Sequence, residues 1–451
     1  MTDFTQCTAT ELTDLYRSGS VSPVTVAEQV LAKIEQLNPV LNAFCFTDPA
    51  TTLAQAKASE QRWQQGCPLS ELDGVPVAFK DSILTQGWPT LHASQTVDSN
   101  QSWSEDAPSA MRLREAGAVF AGKTTMSEFG STEYHSNSLL YGNVCNPWNL
   151  SHTTGGSSGG SASAVSAGLV PVALGTDFGG SIAVPSAFCG VFGMRPGTGR
   201  VPQWPVDLLE LSAVGPMARS TNDLKLIMNI ITKPDVCDNT SLPYNNINFH
   251  ANNKISWSNK KIACIKSISG AIIESVEKTV DYLLGQGAQI DFINLDIESA
   301  INIFSELSVP NMWHQWLDIP EEKRRLAGRE IQHRAIWANR PDDTYNQLVQ
   351  RQKLIIQTRK VMQCYDVLLG SAIATDSNKQ TESMKHVYLS PLSILFCLIK
   401  QPTITIPIGI GVDGMPMSVM IAGNMHDDIN MLQMAQDIES AFPMPPSPLF
   451  Y

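Results

Sequence analysis

No C-x-x-C pair occurs in this chain. Its nine cysteines, Cys7, Cys45, Cys67, Cys145, Cys189, Cys237, Cys264, Cys364 and Cys397, are scattered and odd in number. Such a pattern builds neither a zinc ribbon nor a disulfide framework. It suits a reducing compartment, so a cytoplasmic location is expected. H-E-x-x-H is also missing, which leaves a zinc hydrolase without support; no metal and no other cofactor are expected. Long apolar runs are missing too. The most apolar tract, residues 389–410, is interrupted by Pro391, Lys400, Pro402 and Pro407 and does not suit a membrane span. The opening MTDFTQCTATELTDLYRSGS has an early acidic residue and no apolar segment, unlike a secretory signal. Charge is scarce, at 16% of residues, and its balance is −12. That average charge repels phosphate backbones and anionic bilayers, so neither nucleic acid nor a membrane is the expected partner. The one tight basic cluster, Lys323-Arg324-Arg325, reads as a solvated helix face.

What the chain does have is apolar residues, 43% of 451, enough for a large core and inconsistent with global disorder. Residues 8–37 read as helices, opened by the capping-box pattern Thr8-Ala-Thr-Glu11. Ala50 to Gln65 reads as another. Gly74 to Ile83 predicts a strand with Val75, Val77 and Phe79 on one face and Ala78, Lys80 and Ser82 on the other. A helix over Ala107–Ala116 precedes a strand over Gly117–Gly122. Ala162–Gly168 reads as a helix and Leu169–Leu174 as a short strand. Residues 235–260, rich in Asn, Asp and Ser, predict a long surface loop. Lys261–Ile265 is then a strand, Ala271–Gln286 a helix, and Glu298–Tyr365 mostly helical. Strands are expected at Tyr365–Leu369, Thr403–Ile408 and Ser418–Ala422, and a last helix at Asp428–Phe442. No internal repeat is visible. The alternation predicts an α/β fold: one large mixed, mostly parallel β-sheet covered by helices on both faces. Strand signals at both ends make one domain over 1–451 the expectation. Within it lie an N-terminal helical segment (8–70), a catalytic core (74–235), a variable, mostly helical insertion (236–364) and a C-terminal return to the sheet (365–451).

The glycine–serine run from residue 155 admits three readings. A flexible linker is the plain one, but apolar strand and helix signals flank the run and a second Gly-Gly-Ser follows at 179–181. A phosphate loop would use converging backbone N–H groups, yet neither G-x-x-x-x-G-K-[ST] nor a well-placed G-x-G-x-x-G is present. A serine-nucleophile site is the third. Gly155-Gly-Ser157-Ser-Gly159 fits G-x-S-x-G, but that elbow needs a buried strand just before it, and Asn149–Thr154 is a poor strand. His152 nearby joins no Ser/His/Asp grouping by spacing and reads as a structural or solvated residue.

The longer run GGSSGGSASAVSAGLVPVALGTDFGGSIAVPSAFCGVFGMRP, Gly155 to Pro196, resembles the amidase signature over about forty consecutive residues. GVPVAFKDSI (74–83), DAPSAMRLREAGAVFAGKTTMSEFGS (106–131), NPWNLSHT (146–153), VGPMARS (214–220), YDVLLGS (365–371) and QPTITIPIGIGVDGMPMSVMIAG (401–423) extend the likeness. The resemblance covers residues 1–235 and 365–440. It implies the amidase signature fold and an amidase acting on the C–N bond of a small-molecule amide. It implies Ser181 as the nucleophile, Ser157, on a cis peptide bond, as the bridging serine, and Lys80 as the base. Phe178, Gly179, Gly180 and Gly130 become the implied oxyanion and substrate-binding residues.

The implied chemistry is physically coherent. A serine hydroxyl attacks an amide only with a positioned base. A lysine serves as that base when neutral, and burial disfavours the ammonium. Lys80 sits among Val, Pro, Ala and Phe, which suits burial. This chain departs from the resemblance at Ala183 and Val184, where an arginine is usual two residues after the nucleophile, and at Thr154, where proline is common. The missing arginine speaks against a small acidic substrate gripped there and leaves Asp177 without an expected partner. Gly370–Asp376 lacks the usual prolines, which points to an unusual specificity. Trp313, Trp316 and Trp337, with Met312, read as core residues or, if they face the site, as an apolar pocket. Two other readings stand beside the amidase. One is the glutaminase component of a tRNA-dependent amidotransferase, which needs partner subunits; the missing arginine and the short C-terminal end count against it. The other is a non-catalytic binding protein on an amidase scaffold. A homodimer is compatible with the sequence.

Overall fold

The helices of the N-terminal region start where their caps dictate. The computed structural model describes residues 2–450 except 133, 208, 244–246, 251–254, 267–272, 340–342 and 374–389. In it, α1 (Ala9–Arg17) opens on the expected capping box: the Glu11 N–H donates to Thr8 Oγ1 and the Thr8 N–H donates to Glu11 Oε2. Then come α2 (Pro23–Leu41), β1 (Phe44–Phe46), α3 (Pro49–Gln64), β2 (Pro76–Lys80), α4 (Pro108–Glu115) and β3 (Val119–Thr124). Two small ribbons follow, β4 (Asn137–Ser138) with β5 (Gly142–Asn143) and β6 (Cys145–Asn146) with β7 (Asn149–Thr153). Next are α5 (Gly159–Ser166), β8 (Val172–Asp177), α6 (Ala183–Cys189), β9 (Phe192–Arg195), β10 (Ala213–Ala218) and α7 (Thr221–Ile231). Beyond the 232–260 stretch come β11 (Lys261–Ile265), α8 (Glu274–Gly285), β12 (Gln289–Ile293), and then α9 (Ile297–Asp318), α10 (Arg329–Ala338) and α11 (Thr344–Met362). The chain finishes with β13 (Val367–Ser371), α12 (Pro391–Leu398), β14 (Thr403–Ile410), β15 (Pro416–Ala422) and α13 (Asp428–Ala441).

Eleven strands form one sheet in the order β1-β3-β2-β8-β10-β9-β14-β15-β13-β11-β12. Strands from both ends of the chain share it. Successive residues of a strand feed opposite faces, and both faces are covered. Ile262, Cys264, Val367, Leu369, Val419 and Ile421 enter one apolar cluster, while Ala263, Ile265, Leu368, Met420 and Ala422 enter another. β2, β3 and β10 are buried along their whole length.

The sheet is mixed, as expected, but it is not mostly parallel. Only β2–β3, β2–β8, β11–β13 and β11–β12 run parallel; every neighbouring pair from β8 through β13, and β1–β3, is antiparallel. Parallel neighbours need a crossover, whereas antiparallel ones can be joined by a short turn. β14 and β15 are joined in just that way; of the four sheet strands that the sequence did not suggest, β1 and β12 lie at the edges and β9 and β10 in the antiparallel centre.

Residues 149–153 do form a strand, β7, but a largely exposed one in a two-stranded ribbon, not the buried strand that an elbow at Ser157 requires. Among the described residues no helix or strand lies between Ile231 and Lys261, yet Phe249 and Trp257 from this stretch are buried in the main core. Of the expected helix 271–286, residues 271–272 lie outside the described residues, as do 374–376 of the 370–376 tract and residue 389 of the apolar tract. Among the described residues no helix is long and apolar enough to cross a membrane.

Asp223, buried at the start of α7, holds the N-terminal parts of the fold together. It accepts the Ala9 and Thr10 backbone N–H groups, each at 3.0 Å, at the first turn of α1, where the helix dipole favours a carboxylate. Asp223→Ala strands those donors. The unfolding free energy, read from urea midpoints at unchanged slope, is expected to fall by about 1–3 kcal/mol.

Candidate active site

β2 and β8 are parallel neighbours, so their carboxyl ends open on the same edge of the sheet, where α/β folds place their sites. Lys80 is the last residue of β2; Thr176 and Asp177 end β8. The glycine–serine run lies against this edge and is buried throughout, from Thr154 to Ser166. Close approach, not flexibility, explains its glycines. A Cβ on Gly156 would lie 2.4 Å from the His135 carbonyl oxygen, and one on Gly160 would lie 2.4 Å from that of Thr125. The Gly156–Ser157 peptide is cis, as the resemblance implied. Ser136, fully buried, brackets it: the hydroxyl is 3.1 Å from the Gly155 carbonyl and 3.2 Å from the Ser157 carbonyl, and it accepts the Gly159 N–H at 2.9 Å.

Lys80 is wholly buried. Its Nζ lies 2.6 Å from Ser157 Oγ, 2.8 Å from Thr176 Oγ1 and 3.2 Å from the Thr176 carbonyl oxygen. Burial pushes the amine down to about 7, against the opposing pull of Asp177. A neutral amine has two N–H groups and one lone pair. The Thr176 carbonyl can only accept, and the Thr176 hydroxyl has Ser82 Oγ as a neighbour at 3.3 Å for its own proton. That leaves the Ser157 hydroxyl to donate into the lone pair. Thr176 thus orients the base.

The loop after β8 is folded around Asp177. One carboxylate oxygen accepts the N–H groups of Gly179 and Gly180, at 2.9 and 2.8 Å; the other accepts those of Ile182 and Ala183, at 2.7 and 3.4 Å. The buried Arg195, from β9, brings Nε to 3.9 Å from Asp177. Asp177 is therefore not left without a partner by Ala183: four amides and an arginine from another strand surround it. The amides of Gly179 and Gly180 are engaged, and those of Phe178 and Ser181 have no acceptor among the described residues.

Ser181 is part-exposed, and its carbonyl accepts the Ser158 N–H at 3.2 Å, which ties the nucleophile loop to the residue after Ser157. Its hydroxyl makes no hydrogen bond among the described residues. Gly130 also reaches Ser157: a Cβ there would be 3.3 Å from Ser157 Oγ, while the Gly130 N–H donates to the Ser127 carbonyl at 2.9 Å. Phe178 packs on Phe304 of α9, with ring centres 5.5 Å apart. Ala183 and Val184 belong to an apolar cluster with Phe188, Phe304, Leu307 and Ile394. Trp313, Trp316 and Trp337 are at least partly exposed and do not form the core of the insertion; Arg324 of the basic cluster lies over the Trp316 ring. His152, on β7, has Ser151 Oγ 3.2 Å from Nδ1.

Sequence reasoning missed Thr176, Ser136 and the pairing of Arg195 with Asp177. Thr176 stood inside the quoted run, and strand alternation could have flagged it, being one residue from Asp177 at the end of β8. Ser136 and Arg195 had no local signal, since their partners are distant in sequence.

A family model described as Amidase matches residues 25–432. A glutamyl-tRNA(Gln) amidotransferase subunit from Neisseria meningitidis serogroup C / serotype 2a is 30% identical over 472 residues, covering 96% of this chain and 98% of that one. A 6-aminohexanoate cyclic dimer hydrolase solved with its substrate superposes with a TM-score of 0.89 at 21% identity, with both chains fully covered. The native peptide amidase of Stenotrophomonas maltophilia gives 0.87 at 22% identity, covering 99% of each chain. The amidase signature fold is common to these solved structures and to this chain.

The Lys80 amine changes charge near pH 7. Below about 7 the Lys80 amine is protonated and cannot accept a proton, so kcat/KM is expected to rise as pH passes through about 7 and then level off. Thr176→Val removes an acceptor that serves the ammonium, with three N–H groups, more than the amine, with two. The inflection is expected to move to lower pH and the plateau to fall about tenfold, both read from one pH–rate series.

Proposed function

The chain belongs to the amidase family, hydrolases acting on amide C–N bonds, and from that premise we propose that it cleaves a small or medium amide through an acyl-enzyme on Ser181. The observation that carries this reading is the buried Lys80 amine 2.6 Å from Ser157 Oγ, with the next residue bonded to Ser181. Lys80 takes a proton from Ser157; the Ser181 hydroxyl, which makes no hydrogen bond among the described residues, turns to Ser157 Oγ and gives it a proton as Ser181 Oγ bonds to the carbonyl carbon. The N–H groups of Phe178 and Ser181 are the loop's free donors and serve the oxyanion. Asp177, by engaging the amides of Gly179 and Gly180, fixes the loop's shape. As the C–N bond breaks, Ser157 returns a proton to the leaving nitrogen, and water then releases the acid by the same relay run in reverse.

An uncharged, apolar acyl group suits the surroundings. Ala183 and Val184, two and three positions after Ser181, pack with Phe188 and Phe304, so neither position supplies a cation to grip a substrate carboxylate. The second reading, a glutaminase working with partner subunits, draws on the amidotransferase relative. Glutamine carries an α-carboxylate and an α-ammonium, and the 183–184 position offers neither a counter-charge. Activity on neutral aryl and alkyl amides is expected to exceed ammonia release from glutamine by at least about tenfold, the reverse order favouring the glutaminase. A fluorophosphonate is expected to label Ser181 by mass spectrometry, and Ser181→Ala, Ser157→Ala and Lys80→Ala each to abolish turnover. A label on Ser157 instead would support the elbow reading, and a folded protein that takes no label would support a non-catalytic scaffold.

A further inference from the structure

Glu128 is a buried carboxylate, 5% exposed, at the head of the turn Glu128–Gly130, the turn that sets Gly130 against Ser157. One oxygen accepts the Ser94 hydroxyl at 2.6 Å. The other accepts the Gly328 N–H at 2.9 Å, 200 residues away in sequence. Gly328 is the N-cap of α10, where a carboxylate also meets the favourable end of the helix dipole. A Cβ at 328 would lie 2.5 Å from the Glu128 oxygen, so glycine is what admits the contact. α10 packs on α9. α9 in turn places Phe304 on Phe178, and the tip of that ring lies 2.8 Å from where a Cβ on Gly179 would be. Two of the contacts made by these helices reach the loops around Ser157 and Ser181. One is an apolar contact on the nucleophile loop; the other is a charge-assisted hydrogen bond on the turn beside Ser157.

We propose that the Glu128–Gly328 contact is a latch that seats α10 on α9 beside the 128–130 turn and so governs how tightly substrate is held next to Ser157. Glu128 is a positioning residue: it touches neither the reacting serines nor Lys80 and acts through the seat of the helices. α9 is held by its buried row Ile297, Ala300, Ile303, Phe304 and Leu307 and by α11 and α12; the latch fixes the start of α10, which packs on α9, beside the turn that carries Gly130. The consequence for substrate rests on the Ser181 acyl-enzyme reading, while the seating of the helices does not.

The test uses Glu128→Gln, Gly328→Ala and the double variant of the full chain. The glutamine keeps the shape but offers an NH₂ group where one of two donors now points; the alanine pushes the same contact apart from the other side. Each single variant is expected to raise KM for a neutral amide about tenfold with kcat within threefold, and the double variant to be no worse than the poorer single, because both break one contact. Hydrogen exchange is the second measurement and needs no substrate: the 304–338 peptides are expected to exchange faster in all three variants. Additive KM effects, or exchange over 304–338 unchanged in both single variants, overturn the latch. If wild-type protein takes no label at Ser181 while exchange over 304–338 does rise in the variants, the acyl-enzyme reading fails and the latch stands as a seating device alone.

Discussion

The site depends on one constraint, an amine kept out of water. Lys80 gains nothing as an ammonium at the end of a fully buried strand unless the surroundings stabilise the charge, and they supply only hydroxyls, one carbonyl and a carboxylate already engaged by four amides. The cost of desolvation wins, and the amine sits near neutrality at about 7. The same burial that favours the neutral amine also fixes its direction. Thr176 takes the N–H groups, and the lone pair is left facing Ser157.

Much of the remaining structure serves to bring three chain segments to that amine. The parallel pair β2–β8 sets Lys80 beside Thr176. The glycine-rich run passes so close to the 125 and 135 backbones that side chains at 156 or 160 would collide with them. Asp177 then folds the following loop onto itself, with Arg195 arriving from β9. Position 183 carries no arginine; the cation beside Asp177 is Arg195 from β9, and Ala183 and Val184 are buried in an apolar cluster.

The legible part of this protein was the part governed by local pattern. The capping box at Thr8 formed as its residues dictate, Lys261–Ile265 is a strand with the expected limits, and the helical stretch from 298 to 365 resolved into α9, α10 and α11. Lys80, Ser157, Gly130 and the 178–181 loop were named from the resemblance, and they converge on one edge of the sheet. Most of what escaped depended on distant partners. β9 and β10 carry no alternation to mark them, so the antiparallel link between β8 and β14 was not legible. One contact that escaped is local: the Gly179 and Gly180 amides turn back to Asp177, two and three residues before them. Glu128 and Gly328 are ordinary residues until the fold sets them 2.9 Å apart.

The central claim is the charge state of one side chain, and it can be observed directly. With ¹⁵N- and ¹³C-labelled lysine, the resonance missing from Lys80→Arg identifies the Lys80 side chain, and its shift can be followed through a pH titration of the wild-type protein. The midpoint is expected near 7. A side chain that stays protonated to about pH 10, as an ordinary lysine does, would contradict it.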